Sequence, residues 1–169
     1  MTRGFVPLAL LAASLSLAAP ALAQSWEGDA LRLHNEERAR RGVPALAWDP
    51  ALAAAADRWA HALARTNRWG HSPGSMRAGQ GENLWMGTTG AYPLRAMVGA
   101  WLGERRWFRA GVFPNVSTTG RWSDVGHYTQ IISPHSSRVG CAIRSSRQWS
   151  YLVCRYWPSG NVQGRLIPS

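Results

Sequence analysis

Behind Asp49-Pro50, apolar residues Leu52, Ala55, Ala56, Trp59 and Leu63 recur at steps of three and four, the period that gathers them on one face of a helix. Asp49-Pro50 is a helix-opening pair, because Asp accepts bonds from free first-turn amides and Pro at the first position gives up a donor that lacks a partner there. The small alanines let this face pack closely on a sheet. An earlier helix is predicted from Asp29 to Arg41, with Leu31 and Leu33 at its apolar end and Gly42 as its stop. A third runs from about Tyr92 to Phe108 and carries Met97, Trp101 and Glu104. Residues 70–87, GHSPGSMRAGQGENLWMG, hold five glycines and read as a long loop. A second loop, Ala110 to Gly126, leads into GHYTQII, which is open between helix and strand. Alternation is clearer in Arg138–Arg144 and Tyr151–Tyr156, two strands around a polar turn at Ser145–Gln148. A centred turn sets Cys141 opposite Cys154 at a separation that a disulfide bridges. Helices early and paired strands late give an α+β fold.

Composition changes this picture at the N-terminus. Arg3, the apolar run Phe5–Leu22 and the small residues Ala21-Leu22-Ala23 have the form of a bacterial-type secretory signal over 1–23, cut before Gln24. The other reading is a retained anchor, since about 18 apolar residues just span a bilayer; Pro7, Ser14, Ser16 and Pro20 interrupt the run and favour cleavage. Residues 24–169 then form one domain, exported as a soluble monomer with no transmembrane segment. In that compartment two cysteines read most simply as one disulfide rather than two buried thiols. The chain has 19 basic and nine acidic residues and a formal charge of +10, of which cleavage removes only Arg3. Such a balance attracts anionic envelope surfaces; export and the scattered arginines weigh against nucleic acid.

Polar residues beside glycine or aromatic anchors are the candidates for chemistry: His71, Glu82, Glu104 and His127. Around them, Leu31-x-x-His34-Asn35-x-x-Arg38, Leu46-x-Trp48-Asp49, His71-Ser72, Gly81-Glu82-Asn83-Leu84 and Trp101-x-x-Glu104 follow in order. Gly126-His127-Tyr128-Thr129-Gln130, Gly140-Cys141-Ala142, Val153-Cys154-Arg155-Tyr156 and Pro158-x-Gly160-Asn161 close the series. This ordered set resembles the CAP superfamily of cysteine-rich secretory proteins, antigen 5 and pathogenesis-related class 1 proteins, from about Ala30 to Gly164. The resemblance implies a three-layer α-β-α sandwich with a central, mainly antiparallel sheet. It also implies a cleft lined by His71, Glu82, Glu104 and His127 that takes zinc or another divalent cation. Imidazole nitrogen suits zinc, and carboxylates nearby coordinate or orient a ligand. The alternative is a buried hydrogen-bonded network that pins loops to the sheet.

Gln130 is a further cleft residue or a structural one. His34 reads as a packing or capping residue, His61 and His135 as exposed, and Trp48, Trp59 and Trp101 as core. The chain departs from the family in carrying only the Cys141 and Cys154 pair and in having Ser133 where Trp is usual. The resemblance implies a binding protein for a sterol, fatty acid or other small amphipath. A metal-dependent hydrolase is the second reading, with Glu82 or Glu104 as general base near a metal-held water. It lacks HExxH and GxSxG, and a serine-type variant needs Ser72 or another hydroxyl beside His71 or His127, where nothing marks one. A cationic envelope-interacting or antimicrobial factor is the third.

Overall fold

The computed structural model describes residues 25–169, together with Met1. The expected signal segment otherwise lies outside the described residues. Helix α1 (Trp26–Arg40) opens on Ser25, whose hydroxyl accepts from the Gly28 amide. After the short strand β1 (Ala47–Trp48), helix α2 (Pro50–Thr66) begins as expected, with Asp49 Oδ1 accepting from the Ala51 and Leu52 amides. Strand β2 (Gly81–Thr88) follows, then α3 (Leu94–Gly103), the two-residue β3 (Gly111–Val112) and α4 (Gly126–Ile132). Strands β4 (Arg138–Ser145), β5 (Trp149–Trp157) and β6 (Leu166–Ile167) complete the chain. No helix among the described residues is long and apolar enough to cross a membrane.

The main sheet has the order β1-β4-β5-β2, with β1 parallel to β4 and the other pairs antiparallel. Its two faces bury different partners. Ala56, Ala60 and Leu63 of α2 pack on Leu84, Ala142, Tyr151 and Val153. The opposite side, with Val139, Cys141, Leu152, Cys154 and Tyr156, packs on Leu33, Met97, Trp101, Tyr128 and Ile131 from α1, α3 and α4. This is the α-β-α sandwich. The close seat of α2 depends on Gly140, where a Cβ has no room against the Asp49 carbonyl and the Ala53 amide.

The β4–β5 hairpin has the register read from the sequence: Cys141 lies opposite Cys154 and the two are bonded, Cα–Cα 4.1 Å. Closing this short loop contributes about 3 kcal/mol by restricting the unfolded chain. Two expectations are corrected. The glycine-rich stretch is not a loop throughout, because Gly81–Thr88 pairs along its whole length with β5. Residues 81–84 are buried between two layers, so the strand shows no apolar alternation to read. Gly81 is needed for close approach, not for flexibility: a Cβ there collides with the Gln130 side-chain amide. GHYTQII is helix. His135 is half-buried, contrary to expectation, with Nε2 3.2 Å from the Leu166 carbonyl; His61 is exposed.

His34 is fully buried and forms a hydrogen-bond chain through the core. Nδ1 lies 2.7 Å from the Ala30 carbonyl, which only accepts, so Nδ1 carries the proton and Nε2 accepts from Tyr156 Oη at 2.8 Å. Asn83 Nδ2 donates to the same Tyr156 oxygen and to the His127 carbonyl. Burial is the main cause that pulls the His34 imidazole down to about 4. Folding therefore favours neutral His34. Its contribution is complete above the ordinary value of 6.5 and is lost as pH falls toward 4. The unfolding free-energy difference between wild type and His34→Gln is expected to shrink by about 3 kcal/mol from pH 7.5 to pH 4 in urea titrations.

Candidate functional site

The four expected site residues converge at one end of the sheet, and the structure pairs them two by two. His71 Nδ1 lies 2.7 Å from Glu82 Oε1. The same oxygen accepts from the Ser72 amide at 3.0 Å, and Glu82 Oε2 accepts from Ser72 Oγ at 2.8 Å. On the other wall His127 Nδ1 lies 2.6 Å from Glu104 Oε1. Glu104 Oε2 accepts from the His127 and Tyr128 amides, both at 3.0 Å. These are free amides of the first turn of α4, whose N-cap residue Val125 offers no side-chain acceptor. Glu104, at the end of α3, thus caps α4 and fixes a histidine with one carboxylate.

Because a carboxylate accepts, each neutral imidazole carries its proton on Nδ1 and leaves Nε2 as a lone pair. Among the described residues no hydrogen bond engages either Nε2. Trp101 stacks on the His127 ring, centroids 5.9 Å apart, while its Nε1 donates to the Leu84 carbonyl. Glu82 and its His71 partner differ sharply in burial: the Glu82 side chain is 0% exposed and that of His71 52%.

Arg155 is the site residue that sequence reasoning missed. It stands directly across from Glu82 in the β2–β5 register, and its Nε lies 3.0 Å from Glu82 Oε2 in an ion pair. That N–H is not aligned for a hydrogen bond. The remaining guanidinium nitrogens donate to Ser72 Oγ, Gln80 Oε1 and the Met76 carbonyl. Burial is the largest influence on Glu82 and pushes its carboxyl up. The bonds from His71 and Ser72 together with the Arg155 charge outweigh it and hold the carboxyl below its usual range. Ser72 is buried and bonded to both charged groups, so its hydroxyl is a structural link.

His71, Glu82 and His127 line a cleft of about 430 Å³, joined by Arg77, Asn83 and the exposed Trp122. Gln130 reaches the cleft yet serves structure, accepting from the Gly160 amide and donating to Ser136 Oγ. Ser133, the departure from the family pattern, is buried and donates to the Gly160 carbonyl. Among the described residues no three or more His, Cys, Asp or Glu side chains form a group able to hold a metal ion.

Residues 31–156 match the family described as CAP, the cysteine-rich secretory protein family. Pathogenesis-related protein 1C of Nicotiana tabacum is 35% identical over 144 residues, covering 85% of this chain and 81% of its own. Pathogenesis-related leaf protein 4 of Solanum lycopersicum is 36% identical over 143 residues, covering 84% and 83%. Among solved structures, NaASP2 with Zn2+ superposes with a TM-score of 0.71 at 24% identity over 90% of each chain, a likeness of fold. Sequence and sandwich agree: the chain belongs to CAP, the cysteine-rich secretory protein family.

Proposed function

We propose that this chain is an exported binding protein whose cleft takes a divalent cation between His71 and His127 and receives a small amphipath beside it. The observation that carries the reading is the commitment of both Nδ1 atoms to carboxylates. A carboxylate behind an imidazole fixes its tautomer and raises the basicity of the far nitrogen, which is the arrangement found behind metal-ligating histidines. The donor set therefore fits zinc, held weakly, because two protein nitrogens leave the other positions to water or ligand. A cation there would supply a Lewis-acidic point for a ligand oxygen. The relative solved with Zn2+ supports the same reading.

An apolar groove of about 320 Å³, lined by Trp59, Ala62, Leu63 and Trp69, shares His71 with the cleft. It suits the aliphatic part of a ligand such as a fatty acid or sterol. Catalysis is less well supported: Glu82 accepts from His71 and from the amide and hydroxyl of Ser72 and is paired with Arg155, and Glu104 is not among the described lining residues of the cleft. A general base needs a free lone pair aimed at its water. The disulfide agrees with export to an oxidising compartment.

Calorimetric titration with zinc at pH 7.5 tests the cation site. Wild type is expected to bind one equivalent, and a His71→Ala, His127→Ala double variant none. Equal binding by both proteins rules the site out.

A further inference from the structure

The cleft carries an imbalance of charge. Glu82 is the one carboxylate among its described lining residues, and it is already paired with Arg155. Arg77 is the other charged lining residue, and among the described residues its guanidinium has no hydrogen-bond or ion-pair partner. Its Nε is buried without an acceptor, and such a donor costs stability unless something supplies the missing oxygen. The positive charge is not Arg77 alone: Arg77 acts electrostatically on the buried Arg155, which is itself the partner of the one lining carboxylate.

The backbone also holds Arg77 in place at a cost. Ala78, the next residue, has φ of 35°, in the left-handed region, where a side chain is strained. The turn is locked around it, with the Gln80 amide donating to the Arg77 carbonyl at 2.6 Å and the Ala78 amide to the Gly74 carbonyl. Two amide side chains of the lining are used internally. Asn161 donates to the Gly126 carbonyl and accepts from Thr129, and Gln130 bonds Gly160 and Ser136. Beside the two bare histidine Nε2 atoms, the Arg77 guanidinium is the charged donor of the cleft that lacks a partner among the described residues, and its fork matches a planar or tetrahedral oxyanion.

We propose that Arg77 receives the oxyanion head, a carboxylate or a phosphate, of the ligand that enters this cleft. The inference rests on the cleft being a binding site and does not require the cation. It makes Arg77 the residue that separates anionic amphipaths from neutral ones of equal tail length.

The test is calorimetry in metal-free buffer with octanoate, octyl phosphate and octanol. Wild type is compared with Arg77→Gln and with Arg147→Gln, a control on the exposed hairpin turn. Loss of a charge-assisted bond predicts that wild type binds at least one anion about tenfold more tightly than octanol, and that Arg77→Gln erases the difference. Arg147→Gln is expected to keep it. Whichever anion binds more tightly identifies the source of the head group. Undiminished anion binding by Arg77→Gln, an equal loss in Arg147→Gln, or no preference over octanol in wild type overturns the proposal. Octanol binding alone would leave the amphipath reading intact while removing this one. Anion binding through Arg77 with none of octanol would uphold this proposal and place the affinity in the head group.

Discussion

Replacing Arg155 by Met is expected to lower the unfolding free energy by about 3–5 kcal/mol, because it strands a buried carboxylate. Glu82 and Arg155 have side chains 0% and 1% exposed, so solvent cannot take over when either partner is removed. The cost is not the worth of the pair, since two charges withdrawn from water lose much of their hydration. For that reason a Glu82→Gln, Arg155→Met double variant is expected to recover part of the loss. Urea unfolding of the wild type, both single variants and the double variant gives the coupling directly. A double variant as unstable as the sum of the singles contradicts the pairing. The same substitution also reaches the cleft: Arg155 holds Ser72 and Glu82, and Glu82 holds His71. Loss of stability should therefore be accompanied by loss of His71 order.

Arg38→Ala is expected to cost about as much, roughly 3–5 kcal/mol, by a different route. Arg38 is fully buried and, among the described residues, has no carboxylate partner. Its guanidinium donates instead to the carbonyls of Pro44, Ile131, Ser133 and Ser136, at 2.6 to 3.0 Å. Ile131 and Ser133 lie at the C-terminal end of α4, where carbonyls lack helical partners and attract positive charge. Burial pulls the group down to about 10, so it stays charged at neutral pH. Arg38→Lys keeps the charge but not the fork, and is expected to restore about half of the loss in the same urea titrations. Full restoration by Lys would show that charge alone matters here and that the fan of four carbonyls does not.

Some of this was legible in the sequence, and the reasons differ from element to element. Helix α2 carries its own instructions: a cap at Asp49, Pro50 in the first turn, and an apolar stripe that includes the buried Leu52, Ala56 and Leu63. The β4–β5 hairpin was legible because its alternation and central turn fix the register that brings Cys141 to Cys154. Strand β2 was hidden by its glycines and by burial on both faces. With β2 read as loop, the Glu82–Arg155 pair could not be found, since only strand register sets those two residues opposite each other. Helix α4 is only seven residues long, and its N-terminal amides depend on Glu104 from another element. No local pattern encodes such a cap. The tetrad came from a family resemblance. The structure adds what the resemblance did not state for these residues, which atoms are used up and which remain.

That distinction is the central claim, and the tautomer of the two cleft histidines tests it most directly. Long-range 1H–15N NMR of 15N-labelled protein at pH 7.5 reads each ring nitrogen of His71 and His127 separately, first without metal and then with one equivalent of zinc. The account predicts protonated Nδ1 and bare Nε2 in both residues, with zinc shifting both Nε2 signals and leaving both Nδ1 atoms protonated. A proton on Nε2 of either residue, or Nε2 signals that zinc does not move, would contradict it.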